Sequence, residues 1–531
     1  MESALNFHFR TEQIMKNKTY IQIFSFLIVM AVSCTSDFNE INENPNQLTV
    51  GKIQAIGMFE PILYDGANKW SEYTWHWNNE LMQYTVFSGG TTREEHRYFI
   101  SDANFQSLWN FHAGYANNAV HMYELALEEE NPTLQAIALT WKVYYLSNLS
   151  DMFGDIPYSE AFQGRTDGYT TPKFDTQKEV YLQMFSELEK ANQLYSQNYV
   201  FRDSELDKMY GGDVFQWRKF NNSLYLRLLM RVSGRNEMDV GVKIKAILEN
   251  PNQYPVFKSN ADNATVNFTG TFPYVNFFGS MTENNFTRSG RHLAEQLIKM
   301  TVFGSGEGSI IDPRLPVFGK TNNTDKTWKG AISGGTIEQT TNSNTGSSLL
   351  NTEVFCRTAA PYTFMDYSEI QFIYSEAALT GIIQGGIPLA KSYYEAGVRA
   401  SIEKWNELGI YSEVPVVMTS QDIAGFLENP NVTFNPAENT ENLKQLIAGQ
   451  KYIALFWTGL EAWHEYRRTG YPKLTIGEGT LNDHILPTRF SYPSVTIATN
   501  SENANAAIAN MGGKNDMKTP VWWSKQAISG N

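Results

Sequence analysis

The chain has 531 residues, 42% of them hydrophobic and 14% aromatic, with a formal net charge of −14 and two cysteines. So acidic a surface repels phosphate backbones and anionic lipid, which argues against nucleic acid as a ligand. Two cysteines cannot staple so long a chain, so a hydrophobic core must hold it, and a chain of this length has ample apolar material for one.

The first feature in chain order is an apolar run from Ile23 to Val32, interrupted only by Ser25. It is too short for a membrane span, which needs roughly 18 residues or more. Lys16 and Lys18 precede it and the small residues Ala31 and Ser33 close it, the order of a secretory signal. Residues 1 to 14 fit no part of such a signal, and Met15 is a candidate start. The residue after Ala31-Val32-Ser33 is Cys34, an arrangement that resembles a bacterial lipobox with Ala31 in place of the more usual Leu. On that resemblance residues 1–33 are removed, Cys34 is acylated, and residues 34–50 form a lipidated tether, because stable anchoring needs more than one acyl chain. An ordinary structural cysteine beside a cleavage site is the alternative. Removing residues 1–33 takes away three basic and two acidic side chains, so the mature charge is −15. With Cys34 acylated, Cys356 is left without an intrachain partner and is expected to be a buried small hydrophobe.

From residue 51 to 531 we read one domain, dominated by helical periodicity. "DTQKEVYLQMFSELEKANQLY" (175–195) sets Val180, Met184, Leu188, Ala191 and Leu194 on one stripe. Thr176 and Glu179 give it a capping-box start. Similar patterns predict helices at 138–150, 219–233, 366–382, 390–405 and 441–469, the last stopped by Gly470 with Pro472 beyond. Paired helices of this kind suggest a tetratricopeptide-like scaffold, although no strict 34-residue repeat is present. Between them, residues 250–290, 319–352 and 475–520 read as long irregular segments, and loops of that length in a compact domain are usually functional.

Eight segments taken in order resemble the SusD/RagB-like nutrient-binding outer-membrane lipoproteins: "SDMFGDIPYSEAF" (150–162), "TPKFDTQKEVY" (171–181), "YGGDVFQWRKFNNSLYLRLLMRVS" (210–233), "MDYSEIQFIYSEAAL" (365–379), "YYEAGVRASIEKW" (393–405), "ALFWTGLEAWHEYRRTGYPKL" (454–474), "RFSYPSV" (489–495) and "TPVWW" (519–523). The resemblance implies a mainly α, SusD-like fold: a tetratricopeptide-like helical scaffold with long irregular loops. It implies a lipid-anchored protein on the outer face of the outer membrane, acting as the lid of a SusC-like TonB-dependent transporter that imports oligosaccharides or, in some members, peptides. It implies no enzymatic activity and no cofactor. Asp37, Glu40 and Glu43 look like the family's surface-export signal, or a solvated tether.

The family motifs are structural, so ligand-binding candidates come from physical chemistry. A sugar ring packs its C–H face on an aromatic plane while polar groups meet its hydroxyls at the rim. Residues 70–111 carry eleven aromatics, Trp75, Trp77 and Tyr98 among them, with Arg93 and Arg97 interspersed. A second concentration is Phe272, Tyr274, Phe277 and Phe278, with Trp328 in the polar loop beyond. The ligand-binding candidates are therefore Trp75, Trp77, Arg93, Tyr98, Phe277, Phe278 and Trp328, and core packing is the competing role for each ring.

Other chemistries have weaker support. Glu461 and Glu465 share a helix face, but carboxylates one turn apart point the same way instead of flanking a bond, so a glycoside hydrolase is a minor alternative. The eight histidines show no H-E-x-x-H spacing, and "GSGEG" (304–308) reads as a turn, not a phosphate loop. No metal is expected, although "NADNAT" and "NNTD" offer oxygen ligands and leave a structural calcium open. A structural or adhesive surface lipoprotein shares the anchor and is the remaining alternative.

Overall fold

The computed structural model describes residues 53–87, 95–287 and 290–524. The signal, Cys34 and the tether to residue 50 lie outside the described residues, as does Arg93. The scaffold is a succession of paired helices. Helix α1 (Asp102–Glu128) is joined by three residues to α2 (Pro132–Phe153), which starts with Asn131 accepting the Leu134 N–H at 3.0 Å and Pro132 in the first turn. Nearly every side chain of α2 is buried, the mark of a helix enclosed on all sides. Helix α3 (Gln177–Tyr195) packs on α2 and carries the expected capping box of Thr176 and Glu179. Helix α4 (Val214–Arg231), capped by Asp213, packs on α3. A second set follows: α5 (Tyr367–Leu379) against α6 (Gly386–Gly409), with α7 (Thr440–Ala454) packed on both.

The run predicted at 441–469 is two helices. Helix α7 ends at Ala454 and α8 spans Glu461–Thr469. Between them Trp457 and Gly459 have φ of 66° and 52°, which no helix accommodates. The predicted stop is as expected, with Gly470 at φ 77° forming the C-terminal cap of α8.

The segments read as irregular hold short strands: β1 (Thr85–Phe87), β2 (Ala264–Val266), β3 (Arg291–Leu293), β4 (Val302–Phe303), β5 (Ile310–Ile311), β6 (Gly319–Lys320), β7 (Leu349–Leu350) and β8 (Tyr362–Met365). An antiparallel sheet runs in the order β1-β3-β7-β6, with Val86 opposite His292 and Lys320 opposite Leu349. Strands β2 and β8 pair with each other, as do β4 and β5.

The core contains a charged seam. Arg227 of α4 forms two parallel bonds to Glu369 of α5, Nε to Oε1 at 2.8 Å and Nη2 to Oε2 at 2.5 Å. Arg231 reaches Glu461 of α8 at 2.5 Å and Asp151 of α2 at 3.3 Å. Trp523, from the terminal "TPVWW", donates to Asp151 at 2.7 Å and stacks against the Arg231 and Arg467 guanidiniums. Five elements distant in sequence are thereby registered by directional bonds that apolar packing alone does not supply.

Three histidines in this interior are held neutral. His112 donates from Nδ1 to the Leu108 carbonyl at 2.7 Å and faces the Trp70 ring, and burial depresses its pKa to about 3. Burial, then the neighbouring arginines, lowers His96 to about 3 and His464 well below the usual value. An unfolded histidine protonates near pH 6.5, so stability is lost as pH falls from there towards 3, about 1.4 kcal/mol per pH unit for each group. We expect wild type to lose about 2 kcal/mol more than His112→Phe between pH 7 and pH 5, measured by urea unfolding at both pH values. Equal losses in the two proteins would show that His112 protonates in the folded state.

Candidate functional site

Most of the sequence-predicted aromatics are core. Trp75, Trp77, Tyr98 and Phe278 are buried, which corrects their reading as a ligand platform. Trp75 and Phe278, 203 positions apart, do come together, but ring to ring inside the protein at 5.3 Å between centroids, with Phe286 at 5.9 Å and the Arg291 guanidinium 4.5 Å above the indole. Large apolar rings gain most by leaving water, so a segment this rich in them builds the interior first. Phe277 is 38% exposed, on a loop stapled where Asn68 accepts the Phe277 N–H at 2.8 Å and donates to the Val275 carbonyl at 3.2 Å. Phe272 stands 89% exposed at the tip of that loop.

Trp328 is placed differently. It is half-buried and lines a groove of about 1070 Å³, room enough for a ligand at the upper end of small-molecule size. One wall is the short helix Glu295–Thr301, which contributes Ile298 and Lys299. The β4–β5 hairpin that follows contributes Gly304, Ser305 and Gly306 from its "GSGEG" turn, and Ile311. Asn342 and Ser343, from the helix Ile337–Asn344, also line it. Of these only the turn was singled out in the sequence, and as a turn; polar residues from four separate segments leave no local pattern.

The loop bearing Trp328 is braced from both sides. Upstream, Asn322 accepts the N–H groups of Thr324 and Asp325 at 2.9 Å each, and Asp325 Oδ1 accepts the Thr327 N–H at 3.0 Å and its hydroxyl at 2.6 Å. Downstream, the Lys329 carbonyl accepts the Ser348 N–H at 2.8 Å and the Ala331 carbonyl accepts the Glu295 N–H at 2.9 Å. Gly330 between them is obligatory, since a Cβ there would stand 2.3 Å from the Glu295 Cα. The indole therefore sits on a fixed platform and shares the groove with Ile298, Ile311 and Ile332 and with lysine, serine, threonine and asparagine groups. That pairing of one aromatic face with surrounding hydrogen-bonding groups is what a pyranose ring requires.

Two smaller clefts fit a sugar less well. One of about 540 Å³ is walled by Ile310, Pro313, Pro316 and Val416 around a buried Phe426. Another of about 490 Å³ lies between Lys69 and the α1 residues Gln106 and Asn110, over buried Tyr73 and Phe111. Neither presents an accessible tryptophan.

The oxygen-rich segments are internally committed. Asn322 and Asp325 of "NNTD" build the turn above. In "NADNAT", Asp262 pairs with Lys219 at 2.7 Å and Asn263 accepts the Tyr367 N–H at 2.7 Å. Among the described residues no group of three or more His, Cys, Asp or Glu side chains is arranged to hold a metal. Cys356 is half-buried, and burial, then the nearby Glu353 carboxylate, pushes its thiol up to about 12. Glu461 and Glu465 are both consumed by the charged seam: Glu461 by Arg231, and Glu465 by Arg468 at 2.5 Å and Lys451 at 3.1 Å. Burial alone would raise the Glu465 carboxyl, but those two cations hold it well below the usual range.

The helical scaffold thus carries one braced tryptophan groove, and its internal carboxylates Glu369, Glu461 and Glu465 are bound to arginines. Residues 45–493 match the SusD-like family described as "Starch-binding associating with outer membrane", and the chain belongs to that family. Its fold is shared with a SusD homologue from Bacteroides fragilis NCTC 9343 at 25% identity, covering 88% of this chain and 98% of that one with a TM-score of 0.73. A SusD homologue from Bacteroides uniformis ATCC 8492 is 26% identical over 89% of this chain and 99% of that one, with a TM-score of 0.68. A chitin-binding SusD homologue from Flavobacterium johnsoniae is 22% identical over 88% and 98%, with a TM-score of 0.72, a likeness of fold. Among curated proteins none matches the chain.

Proposed function

We propose that this protein is a surface lipoprotein, anchored through Cys34 on the outer face of the outer membrane, that binds an oligosaccharide in the Trp328 groove and passes it to a SusC-like TonB-dependent barrel. The observation that carries the binding part is the braced, accessible Trp328 among polar groups; family membership supports the outer-membrane setting. The chain performs no chemistry on its cargo in this reading. The carboxylate pair available for hydrolysis, Glu461 and Glu465, is tied into the charged seam and has no free face.

The test combines binding and location. Removing a ring that stacks on a sugar costs about 1 to 3 kcal/mol of binding, so Trp328→Ala should weaken a bound oligosaccharide tenfold or more while leaving the melting temperature unchanged. Calorimetric titration with starch- and chitin-derived oligomers, and with peptides as the competing class, reads this directly. Tighter binding of peptides would overturn the glycan assignment, and no effect of Trp328→Ala on any ligand would remove the groove. For the anchor, Cys34→Ala should abolish palmitate labelling and release the protein from the membrane fraction; retained labelling refutes it. Association with a barrel transporter is checked by co-purification, and its failure would favour an adhesive or structural role.

A further inference from the structure

The charges of the groove differ in sign from those of the chain around it. The protein carries a formal net charge of −14, yet the groove lining holds three lysines, Lys299, Lys326 and Lys329, against two carboxylates, Glu295 and Asp325. Each carboxylate has partners within the protein, and Asp325 keeps a negative charge that lies within electrostatic reach of Lys329. Glu295 pairs with Lys299 one helical turn away at 3.3 Å. Asp325 Oδ1 accepts three bonds, from Asn322 at 2.5 Å and from the Thr327 N–H and hydroxyl, and so serves to shape the loop. Lys326 and Lys329 make no ion pair among the described residues, both are exposed, and they flank Trp328 in the sequence Lys326-Thr327-Trp328-Lys329. The three lysines against two carboxylates leave the groove with one excess positive charge, and Lys326 and Lys329 stand two positions before and one after Trp328 in the chain.

A neutral sugar can accept hydrogen bonds from these ammonium groups but leaves their charge uncompensated. Its hydroxyls are satisfied by amides and carboxylates as readily as by ammonium groups. An ammonium is a strongly hydrated point charge that gains most from an anionic partner. We propose that the ligand of this groove is an anionic oligosaccharide, whose uronate or sulfate groups pair with Lys326 and Lys329 while one of its rings packs on Trp328. This inference rests on the groove being the glycan site and adds the charge class of the glycan. The acidic remainder of the surface does not forbid such a ligand, because charges beyond a Debye length of about 8 to 10 Å are largely screened in physiological salt.

The experiment titrates four proteins, wild type, Lys326→Gln/Lys329→Gln, Trp328→Ala and the triple variant, with hexagalacturonate, a heparin-derived hexasaccharide and neutral maltohexaose. At ~50 mM NaCl wild type should bind at least one acidic probe about tenfold or more tightly than maltohexaose, and about tenfold or more of that affinity should disappear at ~500 mM NaCl. The lysine variant, with an unchanged melting temperature, should lose a similar factor for the acidic probe and nothing for maltohexaose. Maltohexaose binding as well as either acidic probe, with Trp328→Ala weakening it, overturns the anionic class and leaves the groove standing. An acidic probe whose affinity ignores both the lysine and the tryptophan changes overturns the groove itself.

Discussion

Replacing Glu369 with methionine is expected to destabilise the protein by about 3 to 5 kcal/mol, because it leaves the Arg227 guanidinium buried with its two-point partner gone. Arg227 retains Glu461, but at 3.8 Å from Nε and already bonded to Arg231, so the compensation is small. Water cannot take over, since both side chains of the pair are buried. The double variant Arg227→Met/Glu369→Met removes the charge as well as its partner and should recover most of the loss, as apolar replacement of an entire buried pair is often neutral. Urea unfolding of the single and double variants decides it. If the double variant is as unstable as the single one, the seam acts through packing and not through its charges.

Trp75→Ala is expected to cost about 3 to 5 kcal/mol of stability. The indole is fully enclosed, fills the space between Phe278 and Phe286, and lies under the Arg291 guanidinium. Truncation opens a cavity beside a buried cation. Ligand affinity of the folded fraction should be unchanged, the reverse of Trp328→Ala. Measuring melting temperature and affinity on both variants separates scaffold from site. A Trp75→Ala protein that melts like wild type would mean that the ring contributes nothing to the core.

What the sequence made legible was whatever is local. The capping box of Thr176 and Glu179 and the glycine stop at Gly470 are decided by neighbours three or four positions away, and both are found where expected. Strands of two to four residues are too short to display alternation, so the sheet joining Thr85–Phe87 to Arg291–Leu293 left no trace in the pattern. Helix α1, 27 residues long, is not among the helices predicted from the sequence. The larger error concerned burial. Thr74–Asn78 winds as a π-helix, so Trp75 and Trp77 follow no 3.6-residue stripe that would assign them to a face. Trp328 has polar immediate sequence neighbours on both sides, and it is half-buried where Trp75 and Trp77 are buried. The lysines beside it could be read in sequence, but that Glu295 pairs with Lys299, and not with Lys326 or Lys329, is a property of the fold.

The bracing of the Trp328 loop has a kinetic consequence. A platform pinned by Asn322, Asp325, Ser348 and Ala331 loses little freedom when a ligand arrives, so binding proceeds without a slow loop-ordering step. Association should then proceed at the ordinary encounter rate for every ligand that fits, and differences in affinity should reside in how long each one stays. A single stacking ring in an open groove gives a short residence time, so cargo leaves as easily as it arrives. If the ligand is handed onward as proposed, brief retention is a working property, and a variant engineered to bind much more tightly would be the slower carrier.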